Sequence, residues 1–127
     1  MSLRWPVETR DAPRPIGPYS QAVGAGDLVF CAGQIGLDPA TGRLVDGGVG
    51  VQAARTCENL QAVLAAAGLT LANVVKTTLY LVDLADGVVV GEVYSRYFTA
   101  PFPARATVQV AALPAGARVE IDAVAVR

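Results

Sequence analysis

The stretch FPARATVQVAALPAGARVEIDAVAV, residues 102–126, carries most of the evidence on the fold. It contains two apolar, β-branched runs, at about 105–112 and 118–126, which are typical of strands. The short LPAGA segment between them, residues 113–117, predicts that the two strands pair antiparallel. Arg105 stands at the start of the first run, and Glu120 and Asp122 interrupt the second, which is unusual for strands that a small protein should bury.

The polar residues of these two predicted strands fall in phase. Because successive side chains alternate between faces, Arg105 and Thr107 share one face of the first strand, and Glu120 and Asp122 share one face of the second. Two interpretations are open. Solvent wets this polar face, as it often does in antiparallel sheets. Alternatively, the face forms a ligand pocket, in which a guanidinium binds a carboxylate and a carboxyl group orients a water.

The remaining elements are predicted from turn residues and from periodicity. Apolar residues spaced three and four apart, followed by Gly68, indicate a helix, and a β-branched run indicates a central strand covered on both faces. A second apolar stripe follows Asp86, a candidate helix N-cap. The stripe residues are Ala53, Cys57, Leu60, Leu64 and Ala67 in the first helix and Val90, Val93, Tyr94, Tyr97 and Phe98 in the second. In chain order the predictions are a hairpin turning at residues 24–27, a helix at 49–67, a strand at 73–82, a helix at 86–98, and a candidate extra strand at WPVET, residues 5–9. This order predicts an α+β fold, with two helices packed on a mixed sheet.

Composition indicates a single domain that self-associates. A length of 127 residues is typical of one domain, so we expect residues 1–127 to form one unit. Hydrophobic residues make up 53% of the chain and charged residues only 17%, which leaves too little polar surface for a solitary domain. We therefore expect that the surplus apolar surface lies in a homo-oligomer interface, and that the second sheet face, with Arg105 and Glu120, meets another subunit.

Charge and residue type exclude several functional classes. The net charge is −1 and Lys76 is the one lysine, so we expect no nucleic-acid binding. No apolar run reaches the ~18 residues that cross a bilayer, and the N-terminus does not resemble a signal peptide, so we expect a cytoplasmic protein without membrane contact. The chain has no histidine, which removes the commonest general base and metal ligand. Cys31 and Cys57 are expected to be free and buried.

The chain resembles the RidA/YjgF family of reactive enamine/imine deaminases, also called L-PSP ribonucleases or translation inhibitors. The resemblance runs nearly end to end and consists of several blocks in the same order. The blocks are APRPIGPYSQAV at 12–23, AGQIGLDPATGRLV at 32–45, NLQAVLAAAGLTLANVVKTTLYLVDLAD at 59–86, EVYSRYF at 92–98 and FPARATVQVAALPAGARVEIDAVAVR at 102–127.

The resemblance implies a chorismate-mutase-like α+β fold and a homotrimer. In this family the three sheets line an inner barrel, the helices lie outside, and three sites lie in clefts between subunits. The implied reaction is hydrolysis of 2-imino acids, such as 2-iminopropanoate and 2-iminobutanoate, and of their enamine tautomers to 2-keto acids and ammonia. No metal or cofactor is implied.

The resemblance also implies residue roles. Arg105 of the PAR motif binds the substrate carboxylate, and Glu120 of VEI positions the hydrolytic water. Tyr19 of IGPYSQ packs on the substrate, Gly33 of GQI lines the site through its backbone, and Thr107 contributes through its backbone.

Four positions depart from the pattern of many deaminating members. Ala32 stands for serine, Thr107 for cysteine and Gly91 for asparagine, and Gly87 stands for an aromatic residue. Losing the polar side chains at positions 32 and 91 affects the expected substrate range and rate. Two alternatives therefore stay open: a non-catalytic, regulatory trimer that binds carboxylate metabolites, and an endoribonuclease or translation inhibitor, which the absence of a basic patch disfavours.

Overall fold

The computed structural model describes residues 3–127, which form six strands and two helices. The strands are β1 (Trp5–Val7), β2 (Ala22–Ala25), β3 (Leu28–Gln34), β4 (Val74–Leu81), β5 (Ala104–Gln109) and β6 (Val119–Val126), and the helices are α1 (Val49–Ala66) and α2 (Gly87–Tyr97). All six strands join one mixed sheet in the order β1-β2-β3-β6-β4-β5. The predicted α+β architecture, the N-terminal hairpin and the extra strand at residues 5–9 are confirmed.

Both helices pack on one face of the sheet, because each carries a single apolar stripe. The predicted stripe residues that are buried are Ala53, Cys57, Leu60 and Leu64 of α1, and Val90, Val93 and Tyr94 of α2 with Phe98 at its end. Gly68 follows α1 with a φ of 76°, a conformation that favours glycine, and so ends the helix as predicted. Neither helix is both long and apolar enough to cross a bilayer, as judged over residues 3–127.

β5 does not pair with β6, so the predicted antiparallel pair is wrong. β5 is an edge strand and runs parallel to β4, while β6 lies between β3 and β4 and is antiparallel to both. The LPAGA segment is not a hairpin turn. Its single 3₁₀ turn, Pro114–Gly116, leads the chain past the end of β4 to the far side of that strand. The helix between β4 and β5 provides the crossover that parallel neighbours require.

The second face of the sheet is not covered by either helix. In β4 the side chains of Thr77, Leu79 and Leu81 are buried, whereas the alternate residues are half-buried, so the prediction that this strand is covered on both faces is wrong for the single chain. This uncovered face carries apolar side chains near its centre and at its edge. Their exposed fractions are 38% for Leu28, 47% for Phe30 and 41% for Val108.

Candidate functional site

Arg105 lies on the edge strand β5 and points to the helix side of the sheet. It is aligned with Thr77 of β4, and aligned residues of neighbouring strands share a face. Thr77 is fully buried beneath α2, where its hydroxyl contacts the Tyr94 hydroxyl. Accordingly, the guanidinium carbon of Arg105 lies 5.1 Å from the centre of the Tyr94 ring, within the range of a cation–π contact.

The Arg105 guanidinium is exposed and has no carboxylate partner. Within residues 3–127, the ion pairs join Arg55 to Glu58 and Arg118 to Asp86, and neither involves Arg105. A guanidinium offers five donors in a planar fork, which matches the two oxygens of a carboxylate. This arrangement can therefore bind the carboxylate of a ligand.

Thr107 and Gly91 lie on the same side of the sheet as Arg105. Thr107 is aligned with Leu79 of β4, so it shares the helix-side face, and it is exposed. Gly91 lies one helical turn before Tyr94 on α2, and a Cβ atom built there would have no neighbour within 4 Å. The helix surface next to Tyr94 is therefore open.

Glu120 lies on β6 and points to the uncovered face. It is aligned with Tyr80 of β4 and is half-buried. Gly33 lies directly against it, since a Cβ atom built on Gly33 would come within 2.7 Å of Glu120 Oε2. Burial raises the pKa of Glu120, and the negative charge of Asp122 raises it further. A carboxyl group of raised pKa exchanges protons more readily near neutral pH.

Asp122 and Arg118 have structural partners. The carboxylate of Asp122 accepts hydrogen bonds from the Thr78 backbone N–H at 3.2 Å and the Tyr80 hydroxyl at 2.9 Å. Arg118 Nη2 donates to both carboxylate oxygens of Asp86, each at 2.9 Å. Asp86 precedes α2 but makes no side-chain cap, so its predicted capping role is replaced by this ion pair.

Arg105 and Glu120 therefore lie on opposite faces of the sheet. The expectation that both occupy the second face is wrong, because it assumed that β5 and β6 are neighbours. Side chains of β5 point to the same face as the β4 residues with which they are aligned. Arg105 is aligned with the buried Thr77, so the Arg105 side chain points towards the helices. One chain alone does not bring the two residues together.

Tyr19 lies at a third location, in an open groove near the N-terminal segment. The groove has a volume of about 890 Å³ and is lined by Glu8, Thr9, Arg10, Ala12, Arg14, Pro15, Tyr19, Ser20, Gln21 and Pro39. The buried amide of Gln21 fixes this segment by donating to the backbone carbonyls of Thr9, Ala12 and Pro13. Neither Arg105 nor Glu120 is among the lining residues, so groove size does not identify the site of chemistry.

Sequence reasoning missed the contact between Tyr94 and Arg105. Tyr94 was assigned only to the apolar stripe of α2. A signal was available, because a buried tyrosine needs a partner for its hydroxyl and commonly marks a polar junction.

Metal-binding and thiol groups do not form a site. Within residues 3–127, no three His, Cys, Asp or Glu side chains come together as a metal ion would need. Cys31 and Cys57 are free and buried, and burial raises their thiol pKa values to about 11 and about 12. Both thiols are therefore protonated, and unreactive as nucleophiles, at neutral pH.

Comparison with known proteins identifies the family. The family model described as Endoribonuclease L-PSP matches residues 9–127. Human 2-iminobutanoate/2-iminopropanoate deaminase is 50% identical over 125 residues, which cover 98% of this chain and 91% of the human protein. The chain belongs to the RidA/YjgF family.

Solved structures of the RidA/YjgF family share the fold. RidA from the Antarctic bacterium Psychrobacter superposes with a TM-score of 0.94 at 44% identity, covering 97% of this chain and 99% of that one. Escherichia coli TdcF, solved with bound serine, gives a TM-score of 0.92 at 42% identity and covers 97% and 98%. The name of the human relative supports a hydrolytic deaminase that acts on imines.

Proposed function

We propose that this protein hydrolyses 2-imino acids, including 2-iminopropanoate and 2-iminobutanoate, and their enamine tautomers to 2-keto acids and ammonia. The observation that carries the proposal is the exposed guanidinium of Arg105, which has no carboxylate partner within residues 3–127. The name of the human relative supports the substrate class, and the serine bound to E. coli TdcF supports a ligand with an amino-acid carboxylate.

The proposed site forms between two copies of the chain. Arg105 and Glu120 lie on opposite faces of the sheet, so a ligand that contacts both must lie where the helix side of one copy meets the uncovered face of the next. The exposed apolar residues Leu28, Phe30 and Val108 on the uncovered face support such self-association. Because the two contacting surfaces differ, the contact is heterologous, and it generates a ring where the rotation between copies closes; a homotrimeric ring would contain three sites.

In the proposed reaction, Arg105 binds the substrate carboxylate and holds the imine carbon near a water on Glu120. Glu120 accepts a proton as the water oxygen bonds to C2, and the C=N electron pair moves to nitrogen. Glu120 then returns that proton to the nitrogen, which gives a carbinolamine with OH and NH2 on C2. Glu120 next transfers the hydroxyl proton to the nitrogen as the C–N bond breaks, so neutral ammonia leaves and the keto group forms. The raised pKa of Glu120 favours this return.

The proposed chemistry needs no metal or cofactor, because these imines also hydrolyse unaided in water. Each reduction of the barrier by ~1.4 kcal/mol gives a tenfold faster reaction. Positioning the substrate on one fixed charge and the water on another can provide several such factors.

The test is clearance of an imine generated in place by an amino-acid oxidase. We expect the wild-type protein to accelerate the decay and Arg105→Ala to abolish the acceleration while remaining folded. Arg96→Ala is the matched control, since Arg96 is an exposed arginine on α2 outside the proposed site. If wild type gives no acceleration, or Arg105→Ala keeps full activity, the proposal is wrong.

A second candidate function is a regulatory trimer that binds carboxylate metabolites without turnover. The open surface at Gly91 favours it, because no polar side chain there contacts a ligand. Under this alternative, 2-ketobutyrate would raise the melting temperature through Arg105, and no imine would be consumed. Ligand at about 100 times its Kd should stabilise the folded protein by about 2.7 kcal/mol.

The family description also names an endoribonuclease, which the charge of the chain disfavours. RNA binding requires clustered positive charge, and the net charge here is −1 with one lysine. RNA cleavage that weakens with salt and disappears in Arg105→Ala would support that activity instead.

A further inference from the structure

Arg105 is a long, exposed side chain on an edge strand, and such side chains normally sample many rotamers. A substrate anchor of this kind must be ordered when the ligand binds, and that ordering opposes binding. In the free protein the guanidinium carbon of Arg105 lies over the face of the Tyr94 ring, 5.1 Å from the ring centre.

The Tyr94 ring is itself fixed on two sides. It stacks on the Phe98 ring, with centroids 4.2 Å apart and planes inclined by 20°. Its hydroxyl lies 2.9 Å from the Thr77 hydroxyl, in a buried hydrogen bond. Tyr94 and Phe98 are almost fully buried and Thr77 is completely buried, so none of the three has room to move independently.

The contacts of Tyr94 with Thr77 and with Arg105 both lead to the same position on the sheet. Thr77 is the residue of β4 that is aligned with Arg105 of β5. The hydrogen bond between the Tyr94 and Thr77 hydroxyls therefore holds the Tyr94 ring next to the point of the sheet from which Arg105 extends. The face of the same ring contacts the guanidinium at the far end of the Arg105 side chain. Ring, strand and guanidinium are fixed relative to one another.

We propose that Tyr94 is a positioning residue, whose ring holds the Arg105 guanidinium in the orientation that receives the substrate carboxylate. The proposal rests on the proposed function for the identity of the ligand. The ring attracts the cation, and the ring itself never touches the reacting atoms. Burial raises the pKa of the Tyr94 hydroxyl, so this group stays protonated and keeps its bond to Thr77 at neutral pH.

The first test observes the contact without any ligand. In the wild-type protein, the NMR signals of the Arg105 side chain should be shifted by the aromatic ring current. They should return towards unperturbed values in Tyr94→Leu and stay shifted in Tyr94→Phe, which keeps the ring. If Tyr94→Leu does not fold, Tyr94→Met provides the same test, because methionine fills irregular gaps without a ring.

The second test measures imine hydrolysis by the same variants. An exposed cation–π contact corresponds to about a two- to fivefold change in affinity, so Tyr94→Leu should raise KM by roughly that factor with kcat little changed. Tyr94→Phe should restore most of the affinity. Val90→Ala is the control for loss of packing, since Val90 is a buried residue of the same helix, and it should lower stability without changing KM.

Three results would overturn the proposal: unshifted Arg105 signals in wild type, an unchanged KM in folded Tyr94→Leu, or an equal KM rise in Val90→Ala. Failure of the proposed function looks different. In that case wild type gives no turnover, while the Arg105 signals still report directly on whether the ring holds the guanidinium.

Discussion

Replacing Gly33 with alanine should displace the catalytic carboxylate proposed here without unfolding the protein. Gly33 is exposed on β3, and its backbone lies against the side chain of Glu120. A new methyl carbon would come within 2.7 Å of Oε2, 2.8 Å of Cδ and 3.0 Å of Cγ of Glu120. Because the neighbour is a side chain and not backbone, the chain can relieve the overlap by moving Glu120.

The size of the effect follows from the displacement. Ordinary van der Waals contact begins at 3.4 Å, so Oε2 must withdraw by about 0.7 Å, the difference from 2.7 Å. Misplacing a reacting group by about 1 Å can lower a rate by about 100-fold. We therefore expect Gly33→Ala to lower kcat by about 10- to 100-fold, with little change in KM, because Arg105 still binds the carboxylate.

The assay is imine hydrolysis over a range of substrate concentrations, with thermal unfolding recorded for every variant. Gly87→Ala is the matched control, since a Cβ atom there would meet only Leu81 Cδ1 at an ordinary 3.8 Å. A double-mutant cycle with Glu120→Ala isolates the cause. Once the Glu120 side chain is gone, the Gly33 substitution should have no further effect.

Two outcomes would refute this reasoning. Gly33→Ala could retain wild-type kcat, which would mean that the position of Glu120 does not matter for the reaction. Alternatively, the Gly33 and Glu120 effects could be additive, which would mean that the methyl group acts through some other contact.

Three further predictions follow from the same contacts. The acid limb of the pH–rate profile should lie above the usual pKa of glutamate, because Glu120 must be ionised to accept a proton and its pKa is raised. Asp122→Asn removes a negative charge that raises this pKa, so it should move the acid limb to lower pH. An unmoved limb would exclude Glu120 as the base. Asn59→Ala should lower the free energy of unfolding by about 1–3 kcal/mol in denaturant titrations, because it removes the Asn59 amide donor from the Leu37 carbonyl and one of the two donors to the Ile35 carbonyl; a change below about 0.5 kcal/mol would contradict this. Gly91→Ala should raise the melting temperature by a few degrees, since alanine favours helix by roughly 1 kcal/mol and the site is open, and a lower value would reveal a hidden contact.

Local patterns predicted most elements of the fold, because each helix and strand buries a single periodic set of side chains. The stripe from Ala53 to Leu64 predicted α1, and Gly68 predicted its end. Strand pairing was harder, since LPAGA has the composition of a hairpin turn. The helix between β4 and β5 was the better guide, because two strands joined through a helix normally run parallel.

The candidate site was harder to predict for the same reason. The residue types at positions 105 and 120 suggested chemistry, but the face of each depended on strand pairing that alternation alone does not reveal. The closeness of Gly33 to Glu120 and the contact of Tyr94 with Arg105 both join residues far apart in sequence. Such contacts arise only when the sheet order is known.

In the proposed mechanism, Arg105 and Glu120 act together across two copies of the chain. The most direct test mixes the Arg105→Ala and Glu120→Ala proteins, unfolds them together and refolds the mixture. Each variant refolded alone should be inactive. In a ring of randomly mixed copies, about one quarter of the sites should pair an intact Arg105 with an intact Glu120, so about one quarter of wild-type activity should return. A refolded mixture that forms mixed oligomers and stays inactive would contradict the account.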